Sequence, residues 1–261
     1  MFRRPCHRCR PCSLGYEGVC EHLNVIGTQI QGDYAEYMLI TEKVLKDGMV
    51  RQIPDHLTYE ETVLTEPLSS VYACQEDCDV TLGDTVIVIG LGPIGSLHTA
   101  LAKIRGAARV IAVEQSEKRL EKATEFGADS LIDSSTENPV QKILEITDGW
   151  GAEKVIVACP STEAQKQAVA MACKHGTVVF FGGVPQGRLT EIDANLIHYN
   201  ALRIVGHFGY VNLQASRAFS LIESGRLEAK KFVTHILPLE DLQKAIGLTR
   251  NGEAIKIVLS P

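Results

Sequence analysis

No apolar run in these 261 residues approaches the roughly 20 residues that a bilayer-crossing helix needs. The longest, TVIVIG at 85–90 and TVVFF at 177–181, are far too short. The opening MFRRPC carries no apolar stretch of the kind a secretory leader requires, so an oxidising compartment has no support and a cytoplasmic location is expected. Positive charge is in deficit. Lys and Arg number 26 against 32 Asp and Glu, and the net charge of −6 argues against a nucleic-acid partner for the chain as a whole. Internal repeats and low-complexity linkers are missing too. What remains is 45% hydrophobic and 22% charged, close to a globular average and enough for one large or two ordinary domains.

Cysteine is concentrated in one place. Cys6, Cys9, Cys12 and Cys20 form C-x2-C-x2-C-x7-C within PCHRCRPCSLGYEGVC. Two-residue gaps fold successive thiolates around one ion, and the seven-residue loop, relaxed by Gly15 and Gly18, returns the fourth sulfur to the open corner. Four thiolates close a tetrahedral zinc site and leave no corner for substrate, so the expected role is structural. Disulfides or four unrelated thiols are the alternatives. Arg3, Arg4, Arg8 and Arg10 adjoin the cluster. They suit either a nucleic-acid-binding zinc module or, as favoured here, the two net negative charges of a four-thiolate zinc centre.

From Asp84 onward strands and helices alternate. β-branched apolar runs at 85–90, 108–114, 154–158, 177–181 and 202–206, with a short strand at SLI, are separated by helical patterns near 96–105, 117–126, 139–147 and 161–173. Such alternation predicts an α/β fold with a doubly wound parallel sheet. The first strand-to-helix turn reads Gly90-Leu91-Gly92-Pro93-Ile94-Gly95, a G-x-G-x-x-G in the setting that gives the motif meaning. Gly90 permits the tight turn, Gly92 lets the backbone approach a pyrophosphate, and Gly95 allows helix and strand to pack closely. Glu114, at the tip of the next strand, is placed to accept hydrogen bonds from adenosine ribose hydroxyls and would repel a 2′-phosphate, so NAD is expected over NADP. The competing reading of Glu114 is a solvated strand-end carboxylate.

A four-cysteine lobe upstream of a Rossmann domain resembles the zinc-dependent medium-chain dehydrogenase/reductase family, and sorbitol, iditol and other polyol dehydrogenases in particular. GDYAEYMLI (32–40) looks like that family's core-domain strand. RQIPDHLTYEETVLTEPLSSVYA leads into its cofactor domain, and the segment from FVTHILPLEDL to the end resembles its C-terminal return. The resemblance implies a partial GroES-like catalytic domain with the zinc lobe over 1–67, an NAD-binding Rossmann domain over 68–227, and a return to the catalytic domain over 228–261. It implies a small-molecule polyol or secondary alcohol as substrate and a homo-oligomer, dimer or tetramer, with LRIVGHF suited to the contact. Glu66 in TEPLSS matches a carboxylate at the catalytic zinc of polyol and threonine dehydrogenases, where liver-type alcohol dehydrogenases have Cys. Its plainer explanation is a helix N-terminal charge beside Pro67. SSVYAC lacks the GNAVHT-like run of threonine dehydrogenases, which tilts the substrate toward polyols. By the same resemblance Arg119 stands near the adenosine ribose, Lys256 near the pyrophosphate and Ile94 near the nicotinamide. A helix-face ion pair, a solvated strand end and helix–sheet packing explain these three residues equally.

The family's catalytic-zinc Cys, in a C-x-D-x-H-like stretch, and its Gly-His-Glu segment both precede the zinc lobe. Met1 lies five residues before Cys6, so an N-terminally shortened frame and an incomplete catalytic zinc site are expected. Open strand edges and exposed apolar surface over 25–60 should follow. The remaining histidines, His56, His98, His175, His198, His207 and His235, are scattered. Cys74 and Cys78 read as a helix face, Cys159 and Cys173 as core thiols. Besides the polyol dehydrogenase, a non-catalytic NAD- and zinc-binding protein and a threonine dehydrogenase-like enzyme stay open.

Overall fold

The computed structural model describes residues 3–48 and 50–261. The chain forms two compact units, residues 1–73 with 208–261, and residues 74–207. In the first, β1 (Arg3–Arg4) pairs antiparallel with β2 (Asn24–Val25). Short helices α1 (Arg10–Ser13), α2 (Glu42–Asp47) and α3 (Tyr59–Thr62) follow, and then α4 (Thr65–Asp77), which runs on into the second unit. Thr58 starts α3 with a full capping box: its hydroxyl accepts from the Glu61 N–H, and the Glu61 carboxylate accepts from the Thr58 N–H.

Residues 74–207 carry a six-stranded sheet. Its strands are β3 (Thr85–Ile89), β4 (Arg109–Glu114), β5 (Ser130–Asp133), β6 (Ala152–Val157), β7 (Ala172–Phe180) and β8 (Arg203–Gly206), in the order β5-β4-β3-β6-β7-β8. Every pairing is parallel. Helices α5 (Pro93–Ile104), α6 (Glu117–Ala123), α7 (Pro139–Ile146), α8 (Thr162–Met171) and α9 (Ala194–Tyr199) connect them. Alternate residues of the central strands enter different cores. Val86, Val88, Val110, Ala112, Ile156 and Val179 lie in one cluster. Ile87, Ile89, Ile111, Val113, Val155 and Val157 lie in the other. A strand buried on both faces must be apolar at every position, which is why TVIVI carries no polar alternation. Each Val or Ile among them contributes about 1.5–3 kcal/mol by leaving water. The doubly wound α/β expectation is met, strand by strand, within a few residues. The helix expected near 117–126 is α6 followed by a 3-10 turn over Thr124–Phe126, and Gly127 at φ 93° ends it.

The chain returns to the first unit with α10 (Asn212–Glu223), β9 (Val233–Pro238), α11 (Leu242–Arg250) and β10 (Lys256–Ser260), and β9 and β10 pair in parallel. Residues 32–40 are not the strand their pattern suggests. Among the described residues no strand lies beside them, and an extended segment without a partner leaves its N–H and C=O groups to water. Tyr34, Tyr37, Leu39, Leu45 and Val50 are correspondingly exposed, matching the apolar surface expected over 25–60. Among the described residues no helix is long and apolar enough to cross a membrane.

Candidate functional site

The G-x-G-x-x-G turn joins β3 to α5 as its spacing requires. Gly90 has φ 90°, and a Cβ there would sit 2.7 Å from that of Cys159. A Cβ on Gly95 would overlap the Gly90 carbonyl oxygen, so helix and turn approach to a distance only glycine permits. Gly92 is the N-cap of α5 and a Cβ on it would meet nothing within 4 Å. Space above Gly92 is therefore open just where the first-turn N–H groups and the positive end of the helix dipole converge, as a pyrophosphate requires. Pro93 stands at the first helical position, where its missing N–H costs nothing, and Ile94 beside it is half-buried.

Glu114, at the end of β4, is buried with only 9% of its surface exposed. One carboxylate oxygen accepts from the main-chain N–H of Leu91, inside the glycine turn, at 2.7 Å. The other accepts from Gln115 (2.8 Å) and Ser116 (3.1 Å). The Arg119 guanidinium pairs with it at 3.6 Å, while the Arg119 Nε is buried with no partner. Glu114 and Arg119 thus form one group at the edge of the turn, and Glu114 is not the solvated carboxylate of the plainer reading.

Two further strand ends adjoin the turn. The sheet reverses its order between β3 and β6, and in such sheets ligands bind beyond the strands' carboxyl ends at that reversal. There Cys159 packs against Gly90, and a Cβ on Gly182 would lie 2.6 Å from the Cys159 carbonyl oxygen. The ends of β3, β6 and β7 are in close backbone contact. Cys159 is half-buried and packs against a core cluster, and Cys74, Cys78 and Cys173 are buried. Burial, aided by the Glu114 charge, pushes the Cys159 thiol upward, away from reactivity.

In the other unit the four N-terminal cysteines gather. Their sulfurs all lie within 4.8 Å of one another, with Cys9 3.4 Å from Cys12 and 3.7 Å from Cys20. A zinc–sulfur tetrahedron with bonds of about 2.3 Å places its sulfurs about 3.8 Å apart, so the donor set fits zinc. Main-chain N–H groups of Cys6 and His22 point at the Cys20 sulfur, and that of Cys9 at the Cys6 sulfur, as thiolates prefer. An N–H donated by Arg8 leads the lowering of the Cys6 thiol to about 6. Cys12 is pushed up to about 12 by removal from water and by the neighbouring sulfurs, a conflict that a cation resolves. All eight cysteines are free, so the disulfide alternative is set aside.

Glu66 occupies the first turn of α4, where a carboxylate favours the helix dipole. The hydroxyl of Tyr210 donates to it at 3.3 Å. Lys256, at the start of β10, lies within the electrostatic reach of Glu66 and Asp33; burial lowers its pKa and those two carboxylates oppose the shift. Among the described residues the four cysteines are the only group of three or more potential metal ligands, and Glu66 is not in it.

Residues 93–224 match the zinc-binding dehydrogenase family. The chain is 31% identical over 258 residues to the L-threonine 3-dehydrogenase of Bacillus licheniformis, covering 98% of this chain and 72% of that protein. It is 29% identical to the sorbitol dehydrogenase of Halalkalibacterium halodurans, covering 98% and 73%. A zinc-binding dehydrogenase from Sinorhizobium meliloti, solved bound to NADP, superposes with a TM-score of 0.90 at 28% identity over 99% of this chain and 75% of that one. This chain belongs to the zinc-binding dehydrogenases.

In this zinc-binding dehydrogenase the structure brings Gly90, Gly92, Pro93, Ile94, Gly95, Glu114 and Arg119 together in one unit. It places Cys6, Cys9, Cys12, Cys20, Glu66 and Lys256 in the other. Two contributions escape sequence reasoning. Tyr210 is 144 positions from Glu66 and nothing local marks it. Gly182, in the pair Gly182-Gly183 after β7, carries the usual sign of close backbone approach and could have been found.

Proposed function

We propose that this dehydrogenase uses NAD and oxidises a polyol or another secondary alcohol. The observation that carries the NAD preference is the buried Glu114 carboxylate bound to the N–H of Leu91: a fixed negative charge at the ribose edge of the turn disfavours a 2′-phosphate. When bound, the dinucleotide supplies the hydride acceptor. Gly90, Gly92 and Gly95 hold its pyrophosphate, Ile94 packs toward the nicotinamide, and Glu114 with Arg119 borders its adenosine ribose. Glu66, with the Tyr210 hydroxyl beside it, would face the alcohol, but the described residues set no further metal ligands around it, so no step runs through a second metal; Lys256 would serve the pyrophosphate. Cys6, Cys9, Cys12 and Cys20 hold a structural zinc.

The catalytic domain in this proposal is residues 1–67 with 228–261, around a cofactor domain of 68–227. The protein works as a cytoplasmic homo-oligomer paired through the open edge of β8. Sedimentation at several protein concentrations tests the assembly. Titration with NADH and NADPH, followed by nicotinamide fluorescence, tests the cofactor, and tighter binding of NADPH would sink the NAD assignment. The similarity to L-threonine 3-dehydrogenase favours one second reading, threonine as substrate. Rates of NADH formation with sorbitol, xylitol, butanediol and threonine separate the two.

A further inference from the structure

Gln165 lies in the first turn of α8, six residues beyond Cys159, and only 5% of it is exposed. Its carboxamide is used at both ends. The Nε2 group donates to the carbonyl oxygen of Gly182 at 3.3 Å, and Oε1 accepts from the Thr190 hydroxyl at 2.6 Å. Both partners belong to the stretch between β7 and α9, at the two ends of GGVPQGRLT (182–190). The amide orientation is fixed by this pair of bonds, because the flipped amide would set oxygen against the Gly182 carbonyl. Gly182 in turn presses on the Cys159 backbone, and Cys159 on Gly90, so Gln165 ties the post-β7 loop to the floor on which the glycine turn rests.

The location gives this tie a consequence. In a doubly wound sheet the dinucleotide straddles the reversal of strand order, one mononucleotide on each side. Glu114 marks the β4 side for adenosine, so the nicotinamide half lies over β6 and β7, and residues 181–190 border it. We infer that Gln165 is a positioning residue for the cofactor: by clamping Gly182 and Thr190 it holds the post-β7 loop in the conformation that receives the nicotinamide half of the dinucleotide. The inference rests on the cofactor assignment above and adds to it a residue that never touches the ligand.

Gln165→Glu separates positioning from bulk. The shape is kept and Thr190 keeps its acceptor, but an ionised carboxylate faces the Gly182 carbonyl and cannot donate to it. Protonation restores a donor. NADH binding to the zinc-loaded chain is measured by fluorescence between about pH 8 and pH 5.5, with melting temperatures recorded in parallel. Wild type should bind with little change across this range. Gln165→Glu should bind about tenfold more weakly at the alkaline end and recover toward wild type as pH falls, whereas Gln165→Ala should be about threefold to tenfold weaker at every pH. If wild type binds NADH and both variants match it throughout, the inference is overturned and the cofactor assignment stands. If wild type binds neither NADH nor NADPH, that assignment fails and takes the inference with it. Should the Gln165 variants unfold, Thr190→Val, which removes a single half-buried loop hydroxyl, decides: weaker NADH binding at an unchanged melting temperature supports the clamp, and unchanged binding overturns it.

Discussion

The main-chain N–H of Leu91 donates to the Glu114 carboxylate across 2.7 Å, so the acidic residue at the tip of β4 also fixes the conformation of the glycine turn. One side chain therefore joins two strand ends. Replacing it should disturb recognition of the ribose and the shape of the pyrophosphate cradle at once.

Glu114→Gln keeps the size and replaces one accepting oxygen with a donor that faces main-chain N–H groups. We expect NADH affinity to fall about tenfold or more, with the preference over NADPH reduced because the fixed negative charge is gone. Parallel titrations with the two nucleotides check this. A variant that loses both affinities equally would show that Glu114 only shapes the turn.

Gly95→Ala should be strongly destabilising, because the new Cβ collides with the Gly90 carbonyl oxygen, which is backbone and cannot swing away. Overpacking of this kind costs about 1–3 kcal/mol. Gly92→Ala, with open space above it, should leave stability unchanged and weaken cofactor binding alone. Urea unfolding and NADH titration of the two variants give opposite rankings if the turn works as described.

The cysteine cluster should retain about one zinc ion per chain through purification without chelator. Cys12→Ser should lower that occupancy and raise hydrogen exchange over residues 5–22, while the amides of β3 and β4 stay protected. Metal analysis and exchange mass spectrometry test both statements, and undiminished zinc in Cys12→Ser would remove the cluster from its assigned role.

His98 gives a pH dependence whose sign can be worked out. It is fully buried in α5, its Nε2 has no partner, and burial lowers its pKa to about 3. The unfolded chain binds this proton below about pH 6.5 and the folded chain does not, so stability present above that pH is lost as pH falls toward 3, at up to about 1.4 kcal/mol per pH unit. His98→Leu should flatten the slope of unfolding free energy against pH in this window. Identical slopes for both proteins would assign acid sensitivity to other groups.

Legibility in the sequence followed the range of the interactions. TVIVIG and RVIAVE announce strands because burial on both faces demands apolar residues throughout. The glycine turn announces itself because Gly90 and Gly95 meet sterics that no other residue satisfies. GDYAEYMLI misleads, since strand pattern describes a face and not the presence of a neighbour to pair with. Gln165 and Tyr210 are illegible for another reason: a Gln in a first helical turn and a Tyr in a loop look solvated until the fold delivers Gly182, Thr190 and Glu66 to them. Glu114 is legible from its position at the tip of β4, but its bond to Leu91 depends on β3 and β4 pairing in register, Ile89 with Val113.

The division of the chain also sets an order in time. Residues 1–73 are made before the sheet, yet their unit is completed by residues 208–261, which are made after it. Tyr210 must arrive before Glu66 has its phenol, Lys230 before Glu61 has its ammonium partner, and Glu223 before its carbonyl meets His56. Residues 74–207, contiguous and built of successive strand–helix units, are complete well before then. During synthesis the sheet can therefore fold while the cysteine lobe and its exposed tyrosines wait for residues 208–261, an interval in which their apolar surface is open to wrong contacts.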